Sequence, residues 1–207
     1  MPLVRRGSSN AAVSSLESSA LAAALSGGSI DERWAAARSV ADLPNGLTLL
    51  SDALSRETDP RVREAIFTSM ARTRTPESAA AVLPYLRSDD ASLRAGALDA
   101  LRLMPEATAS HLPGLLIDKD ADVRVLACEL VRNQPVSEAS RLLQPILATE
   151  SQANVCGAAV EVLAEVGGPD VLPFLAACAR RFPDDPFLSF AIQVARGRIG
   201  SQASSRD

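Results

Sequence analysis

The chain is short of the residues on which most protein chemistry depends. Of its 207 residues only 3% are aromatic, one is histidine and three are cysteine. His111, in ASHLPGLL, has no second imidazole to join it, so a histidine-built metal site lacks ligands. At a helix start a single histidine reads as a surface or capping residue. Cys128, Cys156 and Cys178 are unevenly spaced and no Cys-x-x-Cys occurs. That pattern argues against a disulfide frame or a zinc site and for free thiols in a reducing, cytoplasmic setting. Cys128 and Cys156 are expected on the outer or flanking side of their helices. Long apolar runs are missing too: nothing approaches the roughly 20 residues that a membrane span needs. There is no glycine-rich phosphate loop, since Gly27-Gly28 and Gly167-Gly168 fall at helix junctions, where glycine ends a helix. A net charge of −4 and a pI near 5.1 argue against nucleic acid as the main partner. No catalytic residue, metal or cofactor is expected from this inventory.

What the chain has is aliphatic material. It is 47% hydrophobic, which is enough for a substantial core, and its wealth of Ala and Leu favours helix over sheet. The start, MPLVRRGSSNAAVSSLESSALAAALSGG, places Arg5 and Arg6 ahead of an Ala/Leu stretch. Glu17, Ser18 and Ser19 interrupt that stretch and no clear cleavage site follows, so a targeting signal is not indicated. Residues 1–10 are read as a flexible tail, 11–26 as helix and 200–207 as a second tail.

The phrase Asp59-Pro-Arg-Val-Arg63 returns as Asp90-Ala-Ser-Leu-Arg94 and as Asp120-Ala-Asp-Val-Arg124. Arg33, Arg63, Arg94 and Arg124 are 30, 31 and 30 residues apart, and the same beat continues to Cys156 and Ser189. Pro44, Pro76, Pro105, Pro135 and Pro169 keep it independently. Two markers with one period indicate a solenoid. Counted from each Arg, positions −1, +2, +3, +6 and +7 share one helical face. They read Val123, Leu126, Ala127, Leu130 and Val131 in the fourth unit, and Val155, Ala158, Ala159, Val162 and Leu163 in the fifth. A Leu-rich helical segment precedes each phrase. Asp59 stands where an N-cap belongs, with Pro60 at the first helical position. The Arg is placed to tie one repeat to its neighbour, a reading preferred to an anion site at Arg63, Arg94 and Arg124 because each Arg has its own Asp. Where the phrase decays, at Cys156 and Ser189, the stack is expected to loosen or deviate.

Paired helices with D-x-x-[VL]-R-x-x-A opening the second resemble HEAT repeats, and more narrowly the short bacterial HEAT-like type of phycobilin lyases. The resemblance implies an all-α fold, a right-handed α-solenoid of about six helical pairs over residues 11–199. The units fall near 11–43, 44–75, 76–104, 105–134, 135–168 and 169–199. It also implies a protein-binding scaffold or, alternatively, a subunit of a phycobilin lyase or isomerase. The His-Glu pairs of HEAT-repeat di-iron hydroxylases are absent, and Asp99, Glu129 and Glu161 would repel the phosphates that HEAT-like DNA glycosylases bind.

In such a solenoid the second helices line the concave face. Position +1 there carries Trp34, Val125 and Phe190; position +4 carries Phe67, Leu98 and Val160; position +5 carries Asp99, Glu129 and Glu161. The expected surface is an apolar strip, Phe67–Leu98–Val125–Val160, bordered by acids, with small residues at Ala95 and Gly157 leaving shallow pockets. It would take a protein or peptide with apolar anchors and basic residues. The competing reading packs the +4 residues between adjacent helices, and covers Trp34 and Phe190 with the chain ends.

Overall fold

A computed structural model describes residues 18–204, with side chains as far as Ser201. Residues 1–17 and 205–207, which include the expected N-terminal tail, lie outside the described residues. Every regular element among the described residues is helical. The contacts divide the chain between Met104 and Pro105 into two compact units. The physical reason is that each unit closes a core of its own: Leu50, Ile66, Met70 and Leu101 in the first, Leu143, Leu147, Leu163 and Leu175 in the second.

The first unit begins with α1, residues 18–27, followed by α2 (Ile30–Ser39), α3 (Gly46–Leu54), α4 (Pro60–Thr73), α5 (Pro76–Val82) and α6 (Ala91–Arg102). The second contains α7 (Pro105–Ala109), α8 (Leu112–Leu115), α9 (Ala121–Val131), α10 (Val136–Thr149), α11 (Ala153–Val166), α12 (Leu172–Arg181) and α13 (Pro186–Ser204). The last helix therefore runs five residues beyond the expected boundary at 199. Each unit is a stack of helical pairs. Second helices form the seams, α2 on α4 and α4 on α6 in one unit, α9 on α11 and α11 on α13 in the other.

The repeated phrase starts these helices. The Asp59 carboxylate accepts from the N–H groups of Arg61 and Val62, Asp90 from those of Ser92 and Leu93, and Asp120 from that of Asp122. Such a cap is worth ~1 kcal/mol. The first unit's departure from the phrase has a local explanation, because Ser29 and Glu32 form a reciprocal capping box on α2. Asp185 accepts from Leu188 N–H at the start of α13.

The arginines do two jobs at once. Arg63, Arg94 and Arg124 each donate to the carbonyl six residues back, on Glu57, Ser88 and Asp118, at 2.8, 2.6 and 2.7 Å. Arg33 makes the corresponding bond one residue nearer, to the Gly28 carbonyl five residues back, at 2.8 Å. Three of them also reach the loop before the next second helix. Arg33 holds Glu57 through Nε and Nη2, at 2.8 and 3.1 Å, and Arg124 holds Glu150 likewise, at 2.7 and 3.0 Å. Arg63 reaches Asp90 at 2.7 Å. Both glutamates are buried and also accept backbone N–H groups of their own loops.

In the fifth repeat the Arg has become Cys156; the helices stay packed there, and the deviation from the pattern is in which residue supplies the guanidinium. Arg181, at the end of α12, brings in a guanidinium from outside the phrase. Its Nε donates to the Glu150 carbonyl at 3.0 Å, the same sixth-back position, and its Nη1 donates to the carbonyls of Leu147 and Ala148 at 3.0 and 2.9 Å. Its Nη2 lies 3.5 Å from the Cys156 sulfur. Cys128 and Cys156, expected on an outer or flanking side, are interior, and Cys178 is buried with them; all three are free thiols. Burial pushes the Cys128 thiol up to about 12, which makes it a poor nucleophile. Hydrogen bonding to Cys178, and to Arg181, holds the Cys156 thiol below its ordinary range, while Cys178 is pushed up by the same pairing.

A candidate partner-binding groove on the last two second helices

The +4 column is packing material. Phe67 is 4% exposed, Leu98 9% and Val160 0%. The Phe67 ring meets Tyr85 edge-on, with centroids 5.8 Å apart, and lies over Gly96, where a Cβ would come within 2.7 Å of it. The expectation that Phe67 lies on the apolar binding strip is therefore corrected in favour of packing: it fills the seam between α4 and α6. Only its edge borders a shallow groove of about 340 Å3, beside Asp99.

The +1 and +5 columns do face outward. Asp99, Glu161 and Phe190 are exposed; Trp34, Val125 and Glu129 are half-buried. Glu129 pairs with Arg132 at 3.4 Å. Three of the nine expected residues, Val160, Glu161 and Phe190, come together in one open groove of about 710 Å3 between α11 and α13. Val125 and Glu129 belong to α9, which contributes nothing to it, and Trp34 lies in the other unit, between α2 and α4.

The sequence matches the model for HEAT repeats over residues 18–102 and 109–196. The chain belongs to the HEAT-repeat family. No curated protein matches it. Solved structures that resemble it include an engineered protein (18% identical, covering 89% of this chain and 97% of that one, TM-score 0.39). A designed armadillo repeat protein is 15% identical, with coverage of 86% and 98% and a TM-score of 0.44. The complex of CpcE and CpcF of phycocyanin lyase from Nostoc sp. PCC7120 is 13% identical, with coverage of 87% and 94% and a TM-score of 0.38.

Set out by HEAT-repeat column, the groove shows what sequence reasoning overlooked. Position −2 is polar in the five earlier repeats, reading Asp31, Arg61, Ser92, Asp122 and Asn154, but in the sixth it is Phe187. That ring is 86% exposed and Phe190 is 68% exposed. Val194 continues their stripe, and Gly157 opposite has open space where a side chain would stand. A Phe in a polar column was the available signal. The seam columns change in the opposite sense. Positions 0, +4 and +7, which in the fifth repeat hold buried Cys156, Val160 and Leu163, become exposed Ser189, Gln193 and Arg196. The exposed rings are therefore not a repeat seam left bare.

Acids frame this stripe. Glu161 and Glu165, four residues apart on α11, share a helix face with Gly157. The Arg132 hydrogen bond holds the Glu165 carboxyl below the usual carboxylate range, with Arg198 adding to the effect. Asp185 lies at one end of the groove and Arg198 lines it too. Among the described residues no three His, Cys, Asp or Glu side chains gather as a metal site, and no helix is long and apolar enough to cross a membrane.

Proposed function

We propose that this HEAT-repeat chain is a non-enzymatic scaffold that holds a protein partner in the α11/α13 groove. The observation that carries the reading is the exposed pair Phe187 and Phe190, set in columns that repeat packing leaves free. A partner helix or extended segment would place apolar anchors on these rings and on Val194, and basic side chains toward Glu161 and Glu165. Acids along one wall favour such a partner in orientation and on-rate more than in raw affinity. The groove's ionisable side chains are carboxylates and one guanidinium, and Glu165 is held ionised, which suits recognition better than proton transfer.

The test is affinity capture with identification of the bound protein, comparing wild type with Phe187→Ser/Phe190→Ser and with Glu161→Lys. Both variants change exposed side chains, so folding is expected to survive. A specific partner should be lost from the first and weakened in the second. Equal retention by all three proteins would refute the groove. Phe67 and Leu98 are unsuitable probes, because their truncation damages the core.

A further inference from the structure

We propose that the groove between α2 and α4 is a second binding site, specific for an acidic segment of a protein partner. It is independent of the α11/α13 groove and opposite to it in charge. Its volume is about 420 Å3, and three guanidinium groups, of Arg38, Arg61 and Arg72, line it against one acid, Glu64. The guanidinium of Arg38 lies 4.5 Å from the centroid of the Trp34 ring. Stacking of this kind holds the cation in place and lowers the ordering cost of binding. Arg72 donates to the Arg38 carbonyl at 3.2 Å, which braces the same corner.

Carboxylates already sample this site from its edges. Arg61 touches Asp31 at 3.5 Å and Arg72 touches Asp42 at 3.4 Å, each through a single nitrogen. Those acids are 84% and 80% exposed, and ion pairs so open to water contribute little. A carboxylate entering the groove can take two prongs of a guanidinium in a planar pair, which is stronger and more directional. A nucleic acid fits less well. Its unbroken row of phosphates would run on to Asp31, Asp42 and Glu64, on a chain of net charge −4.

Trp34 is the only tryptophan in the chain, so its fluorescence reports on this groove alone. Wild-type protein would be titrated at low salt with a short Glu/Ala peptide, a Lys/Ala peptide and inorganic phosphate. The Glu/Ala peptide should change the emission saturably, and the change should weaken as salt rises. Arg61→Glu and Arg72→Glu, at residues whose side chains are 65% and 52% exposed, should each weaken binding by about tenfold or more. Circular dichroism would confirm that both variants fold, with Arg61→Gln as a milder third. No saturable change with the Glu/Ala peptide would overturn the proposal. So would an equal response to the Lys/Ala peptide or to phosphate, or unaltered affinity in all the variants.

Discussion

Arg181 makes contacts that its position in the repeat does not announce. Its guanidinium covers three carbonyls at and just beyond the last turn of α10, on Leu147, Ala148 and Glu150, where a helix end leaves acceptors without intrahelical donors. Positive charge at a helix C-terminus adds to the effect. Arg181→Met should therefore lower stability by ~2–3 kcal/mol, since two part-buried acceptors and one exposed one lose a charged donor together. Arg61→Met, at an exposed pair, should leave the urea midpoint almost unchanged. Similar midpoints for the two variants would refute the substitute-arginine account. The result would also show why Cys156 is tolerated where other repeats keep an Arg.

Among elements, the seam between α4 and α6 depends on the absence of one side chain. Gly96 sits inside a helix, where replacement by Ala ordinarily stabilises by ~1 kcal/mol. Here the new methyl would come within 2.7 and 2.8 Å of two Phe67 ring atoms, and the ring is already packed against Tyr85. Gly96→Ala should therefore destabilise or at best be neutral. Gly197→Ala, with nothing within 4 Å in α13, should raise the thermal midpoint. A clear gain from Gly96→Ala would mean that the seam is loose.

The same contrast separates the phenylalanines. Phe67→Ala should cost ~3–5 kcal/mol, whereas Phe187→Ser and Phe190→Ser should cost little, as both rings are exposed. Equal costs by urea titration would remove the distinction between seam and groove. These residues also mark how far the sequence could be read. Period, caps and outward columns were legible because they follow from helical geometry and spacing. The fate of the +4 column was not, because an apolar residue at a repeat boundary looks the same whether a neighbour or a partner covers it. Glu57 and Glu150 escaped notice for a similar reason. Their burial follows from the reach of Arg33 and Arg124 across a repeat, and no local pattern encodes that reach.

For the molecule as a whole, those two glutamates couple stability to pH, with one tie in each unit. Burial on its own would raise the Glu57 and Glu150 carboxyls. Hydrogen bonds from Arg33 and Arg124, together with backbone N–H groups, outweigh it and leave both below the ordinary value of 4.5. A carboxyl lowered in the folded state contributes stability that is complete above its unfolded value and is lost as pH falls through the folded one. Wild-type protein should accordingly hold its urea midpoint from neutrality down to about pH 4.5 and lose it below. Glu57→Gln/Glu150→Gln should start lower at pH 7, since two part-buried guanidiniums lose their anionic partners. It should then fall less steeply in acid, though not remain level. Glu32, Asp90, Glu138 and Glu165 are also held low and still titrate. Single variants assign the effect, because Glu57→Gln removes the first unit's tie and Glu150→Gln the second's. If the double variant lost stability below pH 4.5 as steeply as wild type, exposed acids would carry the acid response and the buried ties would not.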